Sequence, residues 1–170
     1  ERMISLVNDL LDVTRIEEGR YLYRPALTDI EPVIQFAIDS YRDIIKEKNL
    51  KLEFQKPGEK LPKIMLDVEK MRLAVQNLID NAVRYTLPGN KIKISLAYNL
   101  NKNEVEFQIR DTGMGIPKEN MNRIFESFFT TKDSSKQAGL GLSIVASIVK
   151  HHGGQVSIDS EVGKGSIFTV

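Results

Sequence analysis

Residues 91–109 hold two runs of strict apolar–polar alternation, "KIKISLAYN" and "NEVEFQI", hinged on the turn-forming segment Asn99 to Asn103. Strand side chains point alternately to opposite faces, so the pattern predicts an antiparallel hairpin with one apolar and one wet face. The apolar face needs a second layer to cover it. Helical periodicity on both sides of the hairpin supplies that layer. "TDIEPVIQFAIDSYRDIIKEKN" opens with Thr28 and Glu31 in capping-box spacing and continues with Val33, Ile34, Phe36, Ala37, Tyr41, Ile44 and Ile45, which predicts one long helix. Asp67 caps a second, "VEKMRLAVQNLIDNAVRYT", with Val75, Leu78, Ile79 and Ala82 on its core side. "GLSIVASIVKHH" is a third, stopped by Gly153 and Gly154. "LKLEFQ" and "PKIMLD" read as short strands and Lys118 to Arg123 as a turn of helix, while "QVSIDS" and "SIFTV", joined by "EVGKG", read as a closing hairpin. The expected fold class is α+β: a two-layer α/β sandwich in which a mixed, largely antiparallel sheet carries three main helices on one face.

Ahead of the sandwich, "ERMISLVNDLLDVTRIEEG" spaces Met3, Ile4, Val7, Leu10, Leu11 and Thr14 by threes and fours up to Gly19. That predicts a lone amphipathic helix over 1–20, whose stripe wants a helical partner. "YLYRPAL" is an extended connector over 21–27, leaving 28–170 as the globular domain. Opening inside a helical pattern and closing on "SIFTV", the chain reads as a segment of a longer protein. Its 170 residues, 41% hydrophobic, suffice for a core without staples. Cysteine is absent, which excludes disulfides and thiolate-bound metal and agrees with a reducing, cytoplasmic location. A net charge of +1 gives no case for nucleic acid or an anionic membrane, and no apolar run reaches the ~18 residues of a membrane span. Neither nucleic-acid nor membrane contact is expected of this segment, which reads as soluble.

The strand "NEVEFQI" places Val105, Phe107 and Ile109 on one face, and the next residue of that parity is Asp111. A carboxylate therefore falls where a core residue belongs, at a cost of several kcal/mol if left unpaired. The glycine-rich "DTGMGIP" runs straight on from it. Asp111 is either a turn-forming cap or an acceptor waiting for a donor such as an exocyclic amine. On the second helix Asn77, Asn81, Arg84 and Tyr85 share one face. Two carboxamides one turn apart are either a solvated surface or hard oxygen ligands for Mg²⁺, and arginine adds charge matched to phosphate. "AGLGLSIV" sets Gly139 and Gly141 at the mouth of an apolar helix, either a plain loop closure or a phosphate cradle of exposed amides. The polar "TTKDSSKQA" before it, with Lys132 and Lys136, has the composition of a lid. Each feature alone has a bland alternative. Together they converge on one ligand, ATP with magnesium.

In that order, "NLIDNAVRYT", "DTGMG", "IFESFF" and "GLGL" resemble the N box, first glycine box, F box and second glycine box of the sensor histidine kinase catalytic domain, in the gyrase and histidine-kinase ATP-binding superfamily. "KHHGGQVSIDSEVGKGSIF" is similar to the family's closing hairpin, and the likeness spans residues 28 to 170. The first helix is similar to the second helix of the dimerisation and phosphoacceptor hairpin. The resemblance implies that Asp111 receives the adenine amine and that Asn81 ligates Mg²⁺ with support from Asn77. It further implies that Arg84 and Tyr85 contact the nucleotide and its phosphates, that Gly113, Gly115 and Ile116 line the adenine site, and that Gly139, Leu140, Gly141 and Leu142 hold phosphates beneath the lid. Asn77 stands where the superfamily's ATP hydrolases carry a glutamate base, which favours a kinase. Gln137 and Ala138 replace a further glycine of the second glycine box. Thr130 follows Phe129 where many members carry an arginine, with Lys132 as the substitute charge.

The phosphoacceptor histidine would lie on a helix outside this sequence, so the resemblance implies a protein-histidine kinase core that does not phosphorylate itself. His151 and His152 read as helix-end residues. The implied partners are a response-regulator receiver domain and, through the hairpin, a second copy of the longer protein, whether or not that protein is membrane-anchored. Two other readings remain open: a non-catalytic nucleotide-binding scaffold, and a serine kinase or ATP hydrolase of the same superfamily.

Overall fold

The computed structural model describes residues 23–130 and 139–170. The expected helix over 1–20 and the polar loop with Lys132 and Lys136 lie outside the described residues. Among the described residues the elements run β1 (Ala26–Thr28), α1 (Ile30–Asp39), α2 (Arg42–Glu47), β2 (Lys51–Gln55), β3 (Ile64–Leu66), α3 (Val68–Tyr85), β4 (Lys91–Asn99), β5 (Glu104–Asp111), α4 (Lys118–Met121), α5 (Gly141–His151), β6 (Ser157–Glu161) and β7 (Gly165–Thr169).

Five strands form the main sheet in the order β2-β4-β5-β7-β6. β2 runs parallel to β4 and every other pair is antiparallel, as the alternating sequences require. The hairpin register sets Ile94 opposite Ile109 and Leu96 opposite Phe107, so its apolar parity makes one continuous face. Helices α1, α3 and α5 supply Ile34, Leu78, Ile79, Ile144, Val145 and Ile148, all essentially without exposure, to the core of the two-layer sandwich. A second, two-stranded sheet pairs β1 with β3. Residues 26 and 27, which the sequence reads as connector, thus belong to a strand paired with the domain.

The single helix expected over 28–49 is instead two. Thr28 ends β1, and the cap is Asp29, whose carboxylate accepts the Glu31 amide at 3.1 Å in place of the Thr28–Glu31 box. The helix breaks at Ser40 and Tyr41. Ser40 donates its hydroxyl to the Phe36 carbonyl at 2.9 Å, and Tyr41 leaves helical geometry with its hydroxyl donating to the Gln76 carbonyl of α3 at 3.2 Å. Burial pushes the Tyr41 hydroxyl up to about 12. Two residues on the expected core stripe, Phe36 and Ile44, are exposed, and the Arg72 guanidinium lies over the Phe36 ring at 4.0 Å. Asp67 caps α3 as its sequence predicts, accepting the Lys70 amide at 3.1 Å.

Ile79→Ala leaves a cavity at the helix–sheet contact and is expected to cost about 3 kcal/mol, whereas Leu100→Ala, on the exposed hairpin tip, changes stability by less than about 0.5 kcal/mol. Urea denaturation of the two variants measures both.

Candidate functional site

Asp111 closes β5 on the buried face, with Ile92 of β4 and Ser166 of β7 as its strand partners. It is 5% exposed. Its Oδ1 accepts the Gly113 amide at 2.8 Å, the turn reading made at the sequence level. That bond leaves the carboxylate with spare acceptor capacity in a low-dielectric pocket. Burial raises the carboxyl above its ordinary value, opposed in order by amides of Gly113, Ser166 and Asp111 itself.

The loop that follows Asp111 is fixed from the far side by the closing hairpin. Ile116 donates its amide to the Ser160 hydroxyl at 2.8 Å, and Gly163 donates its own to the Met114 carbonyl at 2.8 Å. Ser160 in turn donates to the Gly165 carbonyl at 2.9 Å and lies 2.8 Å from the Ser166 hydroxyl. Gly115 adopts a φ of +69°, and a Cβ there would overlap the Glu161 carbonyl. Ser160 and Ser166 were missed by motif reading. Their signal is a pair of small hydroxyls at facing positions of the "SIDS"/"GSIF" hairpin, both buried.

Helix α3 spans the site. Its C-terminal carbonyl, on Tyr85, abuts Gly113, while Asn77 two turns earlier meets the start of α5. Those two points lie about 12 Å apart along the axis. Asn77 donates its amide to the Leu73 carbonyl at 2.9 Å, leaving its Oδ1 toward Gly141, where a Cβ would approach to 2.7 Å. A side chain at Gly141 would displace the Asn77 carboxamide from this position. Among the described residues no side chain caps α5, whose N-cap position is Leu140.

Asn81 is half-buried, and among the described residues no hydrogen bond occupies its carboxamide. Tyr85 is half-buried with its hydroxyl raised, first by burial. Arg84, by contrast, is exposed and ion-paired to Asp80 at 2.8 Å. Leu140 is 3% exposed, so its side chain belongs to the core. Ile116 packs partly against the core. Phe128 donates its amide to the Gly139 carbonyl at 3.0 Å, which brings the F box to the second glycine segment. Thus Asp111, Gly113 and Tyr85 come together at one end of this face of α3 and Asn77 and Gly141 at the other, while Gly115 packs on Glu161; Arg84 points its charge at Asp80 instead, and Lys132 lies outside the described residues.

A buried carboxylate acceptor at the end of β5 and the start of an apolar helix at Gly141 form a set of groups whose chemistry suits a purine nucleotide. Among the described residues no cluster of three or more His, Cys, Asp or Glu is placed to hold a metal.

A two-layer sandwich with a buried carboxylate at the end of β5, beside the contact of α3 with α5, is the architecture of an ATP-binding domain of the gyrase and histidine-kinase type. The family model for "Histidine kinase-, DNA gyrase B-, and HSP90-like ATPase" matches residues 66–170, and the chain belongs to that family as a catalytic ATP-binding domain of its histidine kinases. The adaptive-response sensory kinase SasA of Rippkaea orientalis is 41% identical over 98% of this chain and 42% of its own length. The crystal structure of full-length ShkA in complex with AMPPNP superposes with a TM-score of 0.87 at 29% identity, over 99% of this chain and 35% of that one. The histidine kinase ThkA, solved in complex with response regulator protein TrrA, shares the fold at 22% identity and a TM-score of 0.76, over 98% of this chain and 47% of that one. The chain spans less than half the length of the curated SasA relatives it matches. No helix among the described residues is long and apolar enough to cross a membrane.

Asp111→Ala removes the buried acceptor and is expected to weaken Mg-ATP binding by about 3 kcal/mol, roughly a hundredfold, in calorimetric titration. A raised carboxyl in the nucleotide-free fold means that folding takes up a proton at Asp111. Its contribution is therefore greatest below the ordinary value of 3.8 and is lost as pH rises through the raised one. Asp111→Asn cannot titrate, so its stability relative to wild type, followed by urea denaturation from acid to neutral pH, should increase across that window.

Proposed function

We propose that this chain is the ATP-binding core of a two-component sensor histidine kinase, delivering the γ-phosphate of Mg-ATP to a histidine carried on a helical hairpin N-terminal to the domain. The observation that supports it is the placement of the buried Asp111 carboxylate and the uncapped start of α5 at the two ends of one helix face carrying Asn77, Asn81 and Tyr85. Asp111 would take the adenine amine and exclude purines lacking it. Gly113, Gly115 and Ile116 would border the ring, and Tyr85 its outer side. Gly139, Leu140, Gly141 and Leu142 would offer backbone amides to the phosphates. Asn81, backed by Asn77, would give the Mg²⁺ of the substrate one oxygen, with Lys132 and, once released from Asp80, Arg84 adding charge.

Phosphoryl transfer asks the protein mainly to position its reactants and neutralise charge, and this cleft supplies both without a catalytic base. Asn77 stands in the N box, where a carboxylate would be needed to activate water. Hydrolysis is thereby disfavoured against transfer to an imidazole. The phosphohistidine would pass its phosphoryl group to a response-regulator receiver domain, in a homodimer joined through the hairpin and with this domain in the cytoplasm, where ATP is supplied. The name under which ThkA was solved, with a response regulator bound, supports that class of partner.

Supplied with the histidine-bearing hairpin and labelled ATP, the chain is expected to phosphorylate it, and Asn81→Ala to lower the rate by about 100-fold. The isolated chain should incorporate no label. Tight nucleotide binding without phosphorylation of the hairpin would favour a scaffold, and release of free phosphate at a matching rate would favour a hydrolase.

A further inference from the structure

His152, read from sequence as a helix-end residue, forms a junction of three chain segments. Its Nε2 accepts the Asp67 amide at 2.9 Å, and its Nδ1–H donates to the Ile148 carbonyl at 2.7 Å. The first bond needs a lone pair on Nε2, so the ring is the neutral tautomer with its proton on Nδ1. Tyr23 meets the imidazole edge-on, centroids 4.8 Å apart and planes at 88°. One residue on, the Arg24 amide donates to Asp67 Oδ2 at 2.8 Å, while Asp67 Oδ1 holds the Lys70 amide of α3.

The segment that enters the domain is thus gripped between the start of α3 and the end of α5. These are the two helices of the nucleotide cleft. They also approach closely where Asn77, midway along α3, faces Gly141 at the start of α5. Tyr23 is thereby held at the far end of α5, about 16 Å along the helix from Gly141.

We infer that His152 is a positioning residue: with Asp67 it clamps Tyr23 and Arg24, and so sets the direction from which the phosphoacceptor hairpin meets the γ-phosphate. This rests on the phosphotransfer reading above. The clamp touches neither nucleotide nor acceptor histidine; it acts through the rigid pair α3 and α5. Its loss should spare nucleotide binding and slow transfer, because small misplacement of reacting groups is enough to cost rate.

Two measurements test it. In this chain, hydrogen exchange at the Arg24 amide should speed up by about tenfold or more in His152→Ala and in Tyr23→Ala, with the Ile79 amide and the affinity for a non-hydrolysable ATP analogue changed by less than about twofold. An unchanged Arg24 rate overturns the clamp; a parallel loss of analogue affinity overturns its separation from the nucleotide site. With the histidine-bearing hairpin supplied, His152→Ala should lower kcat about tenfold at saturating ATP while KM for ATP stays within about twofold. His152→Gln, whose side-chain oxygen can accept the Asp67 amide, should recover at least half of the lost rate. An unchanged kcat, or a rise in KM that accounts for the loss, overturns the positioning role. Failure of the wild type to phosphorylate the hairpin overturns the phosphotransfer reading and the positioning role with it, while the exchange result alone still decides whether the clamp exists.

Discussion

A carboxylate is buried at the end of a central strand, and much of the domain is arranged around the consequences. Asp111 sits between two neighbouring strands, is almost completely shielded, and is answered within the described residues chiefly by the Gly113 amide. Burial raises its proton affinity against the opposing pull of the Gly113, Ser166 and Asp111 amides, the physical record of a carboxylate withdrawn from water. In the function proposed here a ligand amine would complete its shell of donors, so part of the cost of burial would be recovered when nucleotide binds.

Holding that acceptor in place takes two layers of support. The hydroxyls of Ser160 and Ser166 lie side by side in the closing hairpin, where Ser160 takes the Ile116 amide, and Gly163 grips Met114. The loop after Asp111 is thereby tied to β6 and β7. On the opposite side α3 acts as a ruler, its end on the glycine loop and its middle on the start of α5. A single helix thus fixes the spacing between the loop after Asp111 and the start of α5, and the Asp67–His152 contact fixes how that helix sits against the incoming chain.

Much of this was legible before any coordinates. The parity of "NEVEFQI" put Asp111 on the core face, and the i, i+4, i+8 spacing put Asn77, Asn81 and Tyr85 on one side of α3, because strand and helix periodicities are local properties of the backbone. The Asp67 cap, the two hairpins and the three-helix layer follow from the same rules. The long first helix did not survive, because Ser40 can bond its own chain and Tyr41 finds a carbonyl 35 residues away. Nor does the phosphate-matching charge of Arg84 reveal that Asp80, one turn earlier, claims it. β1 escaped notice because a three-residue strand carries almost no periodicity, and its partner β3 lies far along the chain.

Local order, the apolar faces and the ordered boxes that announce an ATP-binding domain were set by the sequence alone, since each depends on residues within a few positions of one another. Tertiary structure decided which groups meet: the Ser160–Ile116 tie, the Asn77–Gly141 contact, and the His152 junction with Asp67 and Tyr23. Those encounters join residues dozens of positions apart, and only the packing of helices on the sheet determines whether a hydroxyl, an amide or an imidazole at one end of the chain finds its partner at the other.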